Sequence, residues 1–391
     1  MNPQPQITNF KSLHFHMDTI LMEQSHKTKF EQYRKERNLK FMFHYLWKLD
    51  KAHSILNVDI KPPVKSKAHS ENLRKQGNKF YQKKNFQQAL DEYNKSIIVA
   101  PHPVITKGEY SAELPEVLED LDMVMYKELA LGYANRSAVL YELKQYKKSI
   151  ADIDSALKFG YPQAQHHKLA ERKAKCLIAL KKHKEAKSLL EKTIATLSSL
   201  ITEDTKKSLE KLEADCHCDD QLTSDGIYKD QPQRKLSSLS NDELLFAFTN
   251  PSPPILKEVN PKIPVFSSAL DLSYSKSRGR SVIATRDIKP GEVLAVEAPY
   301  ISMLISEDHS NLRNHCYVCT AHSLTPLPCA QCNKVIFCSD SCRDEGISKF
   351  HSVECSVLPT LLDLDMGMNG YLAFRVIART PFQQLRSIVP K

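Results

Sequence analysis

Residues 316–355 read CYVCTAHSLTPLPCAQCNKVIFCSDSCRDEGISKFHSVEC, and this stretch holds seven of the ten cysteines of the chain together with one histidine. The spacing is Cys316-x2-Cys319-x9-Cys329-x2-Cys332-x5-Cys338-x3-Cys342-x8-His351-x3-Cys355. Four short pairs in series provide eight soft ligands, which make two complete tetrahedral zinc sets. Because all four positions of each site are taken, neither ion keeps an open place for a catalytic water, and both have a structural role.

Zinc binding of this kind contributes about 10–16 kcal/mol per site to folding. We therefore expect the two ions to hold together a segment that has almost no apolar core of its own. Three cysteines lie outside this set, namely Cys176, Cys216 and Cys218, and they suggest a reducing compartment. The close spacing of Cys216-His217-Cys218 does not favour a further zinc pair.

A chain of 391 residues with 41% apolar residues can form two or three domains with real cores. The N-terminal MNPQPQITNF lacks the apolar core of a signal peptide, and no apolar run approaches the length of a membrane span. We therefore expect a soluble intracellular protein without a membrane partner. Without a strong basic import cluster, both cytoplasm and nucleus stay open as locations.

The formal net charge of +9 is a mild excess for this length and favours acidic partners in general. It does not by itself favour nucleic acid, because the cysteine-rich segment carries no concentrated basic and aromatic face. Scattered lysines in helical segments are interpreted as solvated helix faces.

The N-terminal half shows a helical repeat. After a predicted helix at residues 28–56 and a linker at Lys61-Pro62-Pro63, seven residues fit positions 8, 11, 17, 20, 24, 27 and 32 of the 34-residue tetratricopeptide (TPR) unit. They are Gly77, Phe80, Phe86, Ala89, Tyr93, Ser96 and Pro101. The frame recurs from Ser137 and, more weakly, from Ala174, with an insertion at residues 102–123 and a capping helix at residues 202–214. The alternative is an unrelated helical bundle.

Polar residues recur on the first helices of these units, which line the concave face of a TPR stack. They are Arg74, Asn78, Asn135, Lys168 and Arg172. Three cations and two amides at one place suit a carboxylate, which accepts charge-assisted hydrogen bonds. The set resembles the carboxylate clamp of co-chaperone TPR domains, and the resemblance implies binding of the acidic C-terminal tails of heat-shock chaperones. The alternative is a plain solvated groove.

Ahead of the cysteine-rich segment the pattern becomes β-like. Ser281–Thr285, a turn at Lys289–Glu292 and Val293–Glu297 predict a hairpin, with Arg278-Gly279-Arg280 immediately before its first strand. After Cys355, two short helices are expected at residues 358–364 and 371–378.

The cysteine spacing matches the MYND zinc finger. In that family the ligands interleave, which implies one zinc on Cys316, Cys319, Cys338 and Cys342 and the other on Cys329, Cys332, His351 and Cys355. A hairpin with Arg-Gly-Arg that is followed by a MYND finger resembles the SMYD proteins, which are SET- and MYND-domain protein-lysine methyltransferases. The helical repeats point to their TPR-bearing branch. The resemblance implies that Arg278, Gly279 and Arg280 contact S-adenosylmethionine, and that the finger docks proline-rich peptides or histone deacetylase complexes.

The resemblance also implies elements that do not follow Cys355 within this sequence, among them an Asn-His-x-Cys motif and a further cysteine cluster. We therefore interpret the chain as C-terminally truncated and expect that it does not methylate protein lysines by itself. The alternative function is an adaptor that binds chaperone tails and proline-rich peptides through its TPR and MYND modules.

The expected fold class is α+β and multidomain: a TPR solenoid, then the N-terminal β part of a SET domain with an inserted two-zinc finger. The expected domains are an N-terminal helical segment (1–66), TPR-like repeats (68–214), a linker (215–265), the N-terminal part of SET (266–310), the MYND finger (316–355) and the start of a helical SET insert (356–391).

Overall fold

The computed structural model describes residues 64–103, 120–214, 216, 254–304, 311–363 and 367–388, together with six single positions between Lys27 and Lys48. It forms two compact units, one made of Met1–Gly226 with Met303–Lys391 and the other of Ile227–Ser302. The predicted helix at residues 28–56 and most of the predicted linker at 215–265 lie outside the described residues.

Seven α-helices form the N-terminal part of the first unit in the described residues. They are α1 (Lys67–Gln82), α2 (Phe86–Val99), α3 (Asp120–Glu142), α4 (Tyr146–Lys158), α5 (His166–Ala179), α6 (His183–Leu197) and α7 (Glu203–Ala214). The α1–α2, α3–α4 and α5–α6 pairs are the three predicted helix–turn–helix units, and α7 follows as the expected cap. Helix α3 begins at Asp120, inside the stretch that the sequence assigns to an insertion.

Each repeat uses the same backbone turn between its two helices. Lys84, Lys144 and Lys181 have positive φ angles of 58°, 59° and 62°. In every case the lysine N–H donates to the carbonyl three residues earlier, and the next N–H donates to the carbonyl five residues before it. This shared turn ends the first helix and folds the second one back against it.

Small residues let the two helices of the first repeat approach closely. A Cβ atom added at Gly77 would lie 2.5 Å from Cε1 of Tyr93, so only glycine fits there. Ser70 and Ser96 are fully buried, and their hydroxyls lie 3.0 Å apart across the same interface. The small residues of the repeat pattern are therefore those that lie at the contact between α1 and α2.

The second unit contains a two-stranded antiparallel sheet, β1 (Leu270–Ser275) with β2 (Gly279–Ala284), in which Leu270 pairs with Ala284 and Ser275 with Gly279. The predicted hairpin is therefore wrong in its pairing. Residues 281–284 are part of a strand, but their partner is the preceding segment. Residues 293–297 instead face residues 265–267, where the Ser267 N–H donates to Leu294 O and the Val296 N–H to Val265 O. The turn at Lys289–Glu292 is present, with Gly291 at a φ of 84°.

The rest of the first unit is built around short elements: α8 (Asn311–Asn314), β3 (Leu327–Pro328), β4 (Ile336–Phe337), α9 (Asp340–Gly346), a π-helical turn (Ile347–His351), α10 (Ser352–Glu354), α11 (Leu358–Asp363), α12 (Gly367–Arg379) and α13 (Phe382–Ile388). Strands β3 and β4 pair in antiparallel fashion. Helices α11 and α12 correspond to the two expected after Cys355. Within the described part of the chain, no helix is long and apolar enough to cross a membrane. The α+β multidomain class is confirmed.

Candidate functional site

Local structure places the eight cysteine and histidine ligands. Cys316 and Cys319 lie in a turn next to β4, and Cys329 and Cys332 in the loop that follows β3. Cys338 and Cys342 lie at the start of α9, where Ser339 is the N-cap and its hydroxyl accepts from the Cys342 N–H at 3.2 Å. The remaining two ligands follow on the short helices.

The eight side chains meet in two groups of four. One holds Cys316, Cys319, Cys338 and Cys342, the other Cys329, Cys332, His351 and Cys355, and the ligand atoms of each group lie within 4.8 Å of one another. All four members of the second group are buried, whereas Cys319 in the first is exposed. This is the interleaved arrangement that the MYND resemblance implies.

The distances between ligand atoms fit tetrahedral zinc. Bond lengths of about 2.3 Å to sulfur and about 2.0–2.1 Å to nitrogen place two sulfurs about 3.8 Å apart, and a sulfur and a nitrogen about 3.6 Å apart. The Sγ atoms of Cys319 and Cys338 are 3.5 Å apart, and those of Cys329 and Cys355 are 3.8 Å apart. Cys332 Sγ lies 3.6 Å from His351 Nε2, so Nε2 is the nitrogen that faces the metal position.

A partly buried lysine lies near the second group. Lys65 Nζ donates to the Ile98 carbonyl at 2.7 Å. Burial lowers the Lys65 pKa to about 8, against the opposing effect of the nearby thiolates, Cys332 foremost. Three thiolates, a neutral imidazole and Zn²⁺ sum to a net charge of −1, and a nearby ammonium compensates that charge in a buried place.

The finger has more apolar core than the sequence predicts. Its buried cluster includes Tyr317, Val335, Phe337 and Phe350, and it continues into α11 through Leu358. The expectation of almost no apolar core is wrong, because the finger buries these side chains of its own and α11 adds Leu358 and Leu362. Arg375 of α12 closes this core from one side: it is 1% exposed, and its Nε donates to Glu354 Oε1 at 2.9 Å.

The same guanidinium lies 4.1 Å from the centroid of the Tyr317 ring, within cation–π range. Together with Glu354 it fixes α12 against the finger. Neither Arg375 nor Glu354 was singled out by the sequence, because only their burial distinguishes them from ordinary surface charges.

Of the five predicted groove residues, Asn78 and Asn135 bond to each other, whereas Arg74 and Arg172 bond to other residues of the first helices. Asn135 Nδ2 of α3 donates to Asn78 Oδ1 of α1 at 2.8 Å, and the Tyr93 hydroxyl donates to the same oxygen at 2.8 Å. Arg172 Nη1 of α5 donates to Ala134 O at 3.0 Å and to Ser137 Oγ at 2.8 Å. These bonds join the three first helices along their inner face.

One cation of the groove is already paired. Arg74 Nε donates to Glu128 Oε2 at 2.9 Å, and the side chains are 14% and 6% exposed. Glu128 lies on α3 two turns before Asn135, so it enters the groove from the neighbouring repeat. Sequence reasoning missed Glu128, because its partner lies 54 residues away. Lys168 is exposed, and among the described residues its side chain makes no hydrogen bond or ion pair.

A second buried arginine links the repeats to the finger. Arg136 is 1% exposed and donates from Nε and Nη2 to the two carboxylate oxygens of Asp152, at 2.7 and 2.8 Å. Its Nη1 donates to Asn94 Oδ1 at 2.9 Å and to Pro326 O at 3.3 Å. One side chain thus ties α3 to α4, to α2 and to the finger loop before β3.

The predicted cofactor residues lie on the hairpin of the second unit. Arg278 is in its turn, and Gly279 and Arg280 open β2, with Gly279 at a φ of 70°. Arg278 therefore does not precede a strand that leads into 293–297 but closes the turn after β1. Both arginines are exposed. The hairpin also exposes Tyr274 and Val282, which are 72% and 51% accessible.

A family model for the MYND finger matches residues 316–355. Among curated proteins, the chain is similar to the protein-lysine N-methyltransferase SMYD4 of Homo sapiens, with 27% identity over 339 residues, and to that of Mus musculus, with 29% identity over 337 residues. Each comparison covers 81% of this chain and 37% of the relative. The chain therefore spans little more than a third of the length of these relatives.

Among solved structures, the chain is similar to the TPR2B domain of yeast Sti1 in complex with a pHsp70 peptide. The identity is 21%, the TM-score is 0.29, and 38% of this chain and 96% of that chain are covered. It is also similar to the first TPR of Spaghetti (RPAP3) bound to the HSP90 peptide SRMEEVD, with 18% identity, a TM-score of 0.27, and coverage of 39% and 95%. TM-scores of this size support no conclusion about ligands.

Proposed function

We propose that the helical repeats of this SET- and MYND-domain (SMYD) family member bind peptides, taking an acidic C-terminal segment of a protein partner into the concave groove. One observation carries the proposal: the hydrogen bond between Asn135 and Asn78 joins two first helices at the place where Arg74 and Arg172 also lie. Three cations and one carboxylate leave this groove net positive, which suits a terminal carboxylate.

The Arg74–Glu128 pair bears on affinity. Glu128 neutralises one groove cation in the free protein, so an incoming carboxylate has to share Arg74 with it. The exposed Lys168 and the hydrogens of the Asn78 amide are then the groups best placed for the ligand. This supports a groove that binds acidic tails weakly, at the micromolar level or above, since shared charges gain less than free ones.

Isothermal titration calorimetry with a peptide ending in Glu-Glu-Val-Asp tests the groove. Binding is expected to weaken about tenfold in Lys168→Ala, which removes about 1.4 kcal/mol. It is expected to strengthen about fivefold in Glu128→Gln, because Arg74 loses its competitor. Lys192→Ala, an exposed lysine on α6, is the matched control. Equal affinities of wild type, Lys168→Ala and Glu128→Gln would refute the groove.

For the methyltransferase itself we propose S-adenosylmethionine-dependent methyl transfer to protein lysine as the activity of the family member to which these residues belong. Such transfer depends on positioning and on a closed channel. Arg278 and Arg280, however, lie exposed on an open hairpin. We therefore expect the 391-residue chain by itself to give no transfer of radiolabelled methyl groups. Turnover that is lost in Arg280→Ala would contradict this expectation.

A further inference from the structure

A basic edge runs along the helical stack at the turns inside the repeats. We define this turn edge as residues 82–88, 142–148 and 179–185, which are equivalent positions of the three repeats. The first segment contains Lys83 and Lys84. The second contains three lysines and Glu142, and the third contains three lysines and Glu185. Each segment thus carries a formal net charge of +2.

The central lysines occupy a backbone conformation that lysine disfavours. Lys84, Lys144 and Lys181 have φ angles of 58°, 59° and 62°. In this left-handed region a Cβ atom crowds the following carbonyl, so glycine fits with the least strain. The chain nevertheless places an exposed lysine there in all three repeats. Glycine would fit this turn with the least backbone strain, whereas each lysine also places a positive charge at the C-terminal end of a first helix and at the surface.

The stack arranges the three turns in a row. Helices α1, α3 and α5 pack side by side in the same direction, so their C-terminal turns lie at one edge. Because each first helix packs directly on the next one, and packed helices lie about 8–10 Å apart, successive turns are also about 8–10 Å apart. An extended peptide covers about 3.3–3.6 Å per residue, so roughly 3 residues span one interval and roughly 5–6 span the edge.

We propose that the turn edge binds an extended acidic peptide segment of a partner protein, with Asp or Glu residues at intervals of about three residues. Lysine offers a compact point charge that suits single carboxylates. The aromatic residues of the edge are not available for base stacking, because the Phe86 and Tyr146 rings pack on Tyr81 and Tyr141 at 5.6 and 5.9 Å between centroids. Single-stranded nucleic acid needs such stacking platforms, which favours a peptide.

This site is separate from the concave groove, since it uses turn lysines and none of Arg74, Lys168 or Arg172. The triple variant Lys84→Gly/Lys144→Gly/Lys181→Gly removes half of the net charge of the edge. It also relieves the left-handed lysines, so its melting temperature is expected to equal or exceed that of wild type. A loss of binding in this variant therefore reflects lost charge, because the fold is retained.

Fluorescence anisotropy with a labelled peptide of about 8 residues, carrying Glu residues at the required interval and an amidated C-terminus, measures the interaction. The triple glycine variant of the full chain is expected to bind it about tenfold more weakly at low salt, with the difference shrinking as salt is raised. The control Lys67→Gln/Lys192→Gln/Lys211→Gln loses the same charge elsewhere on the stack and is expected to bind like wild type.

Equal affinity of the glycine variant and the control would overturn the proposal. So would tighter binding of a single-stranded oligonucleotide of matched charge through the same three lysines. The amidated peptide keeps this test distinct from the groove, which needs a free C-terminal carboxylate: Lys168→Ala is expected to leave binding to the turn edge unchanged.

Discussion

The buried Arg136–Asp152 pair is expected to be the most sensitive polar contact of the helical stack. The side chains are 1% and 5% exposed, and two parallel hydrogen bonds of 2.7 and 2.8 Å join them. Asp152→Ala leaves a buried guanidinium without its counter-ion. Breaking a buried pair in this way costs about 3–5 kcal/mol, because the remaining charge is neither paired nor hydrated.

Urea unfolding followed by far-ultraviolet circular dichroism, with zinc present throughout, measures this cost. The matched control is Asp154→Ala, which breaks the Lys173–Asp154 pair two residues away; those side chains are 24% and 54% exposed. Its cost is expected to stay below about 1 kcal/mol. Arg136→Met/Asp152→Leu, which removes both charges, is expected to recover most of the loss. A cost of Asp152→Ala no greater than that of the control would refute the reasoning.

Three further outcomes are expected. Elemental analysis should find two zinc ions per chain, and a count of one would contradict the two ligand sets. Removal of zinc by a chelator should abolish the tertiary packing of the finger, while the circular dichroism of the helical repeats is kept. Gly77→Ala should destabilise the chain by about 1–3 kcal/mol because the new methyl group would overlap the Tyr93 ring, whereas the exposed Gln76→Ala should be nearly neutral. Burial lowers the pKa of His102 to about 3, so the folded chain loses stability as the pH falls below the unfolded pKa of about 6.5. At pH 5 the expected loss in the free energy of unfolding is about 2 kcal/mol. His102→Gln should reduce this loss, whereas the substitution of the exposed His69 by Gln should not.

The repeats and the finger could be predicted from the sequence because each has a signal that is local and periodic. Small and large residues at fixed positions encode the contact between α1 and α2, as Gly77 and Tyr93 illustrate. The zinc ligands can be recognised by their spacing in the sequence, because each tetrahedral site is formed by two closely spaced pairs. Such patterns can be recognised without knowledge of the tertiary structure.

The pairing of β2 with β1 and the ion pair of Arg74 with Glu128 could not be predicted in this way. Residues 293–297 have the apolar character of a strand, but β2 pairs with β1, because a tight turn through Gly279 brings the preceding segment closer. The sequence predicts Arg74 as an unpaired cation of the groove. In the structure the contact between α1 and α3 places Glu128 beside it. Both outcomes depend on which segments meet, and a single sequence carries no local signal for that.

Helix α3 connects the groove of the helical repeats to the finger through hydrogen bonds of its side chains. Its consecutive residues Asn135 and Arg136 face different sides, since neighbouring positions on a helix point about 100° apart. Asn135 bonds to Asn78 in the groove, whereas Arg136 bonds to the Pro326 carbonyl in the finger. A second contact, from Asn94 Nδ2 to the Leu324 carbonyl at 3.2 Å, holds the same loop. Because these bonds start from one helix and its packed neighbour, groove and finger keep a fixed distance from each other. A partner that engages both would therefore meet two pre-oriented surfaces and lose less entropy on binding than it would with flexibly linked modules.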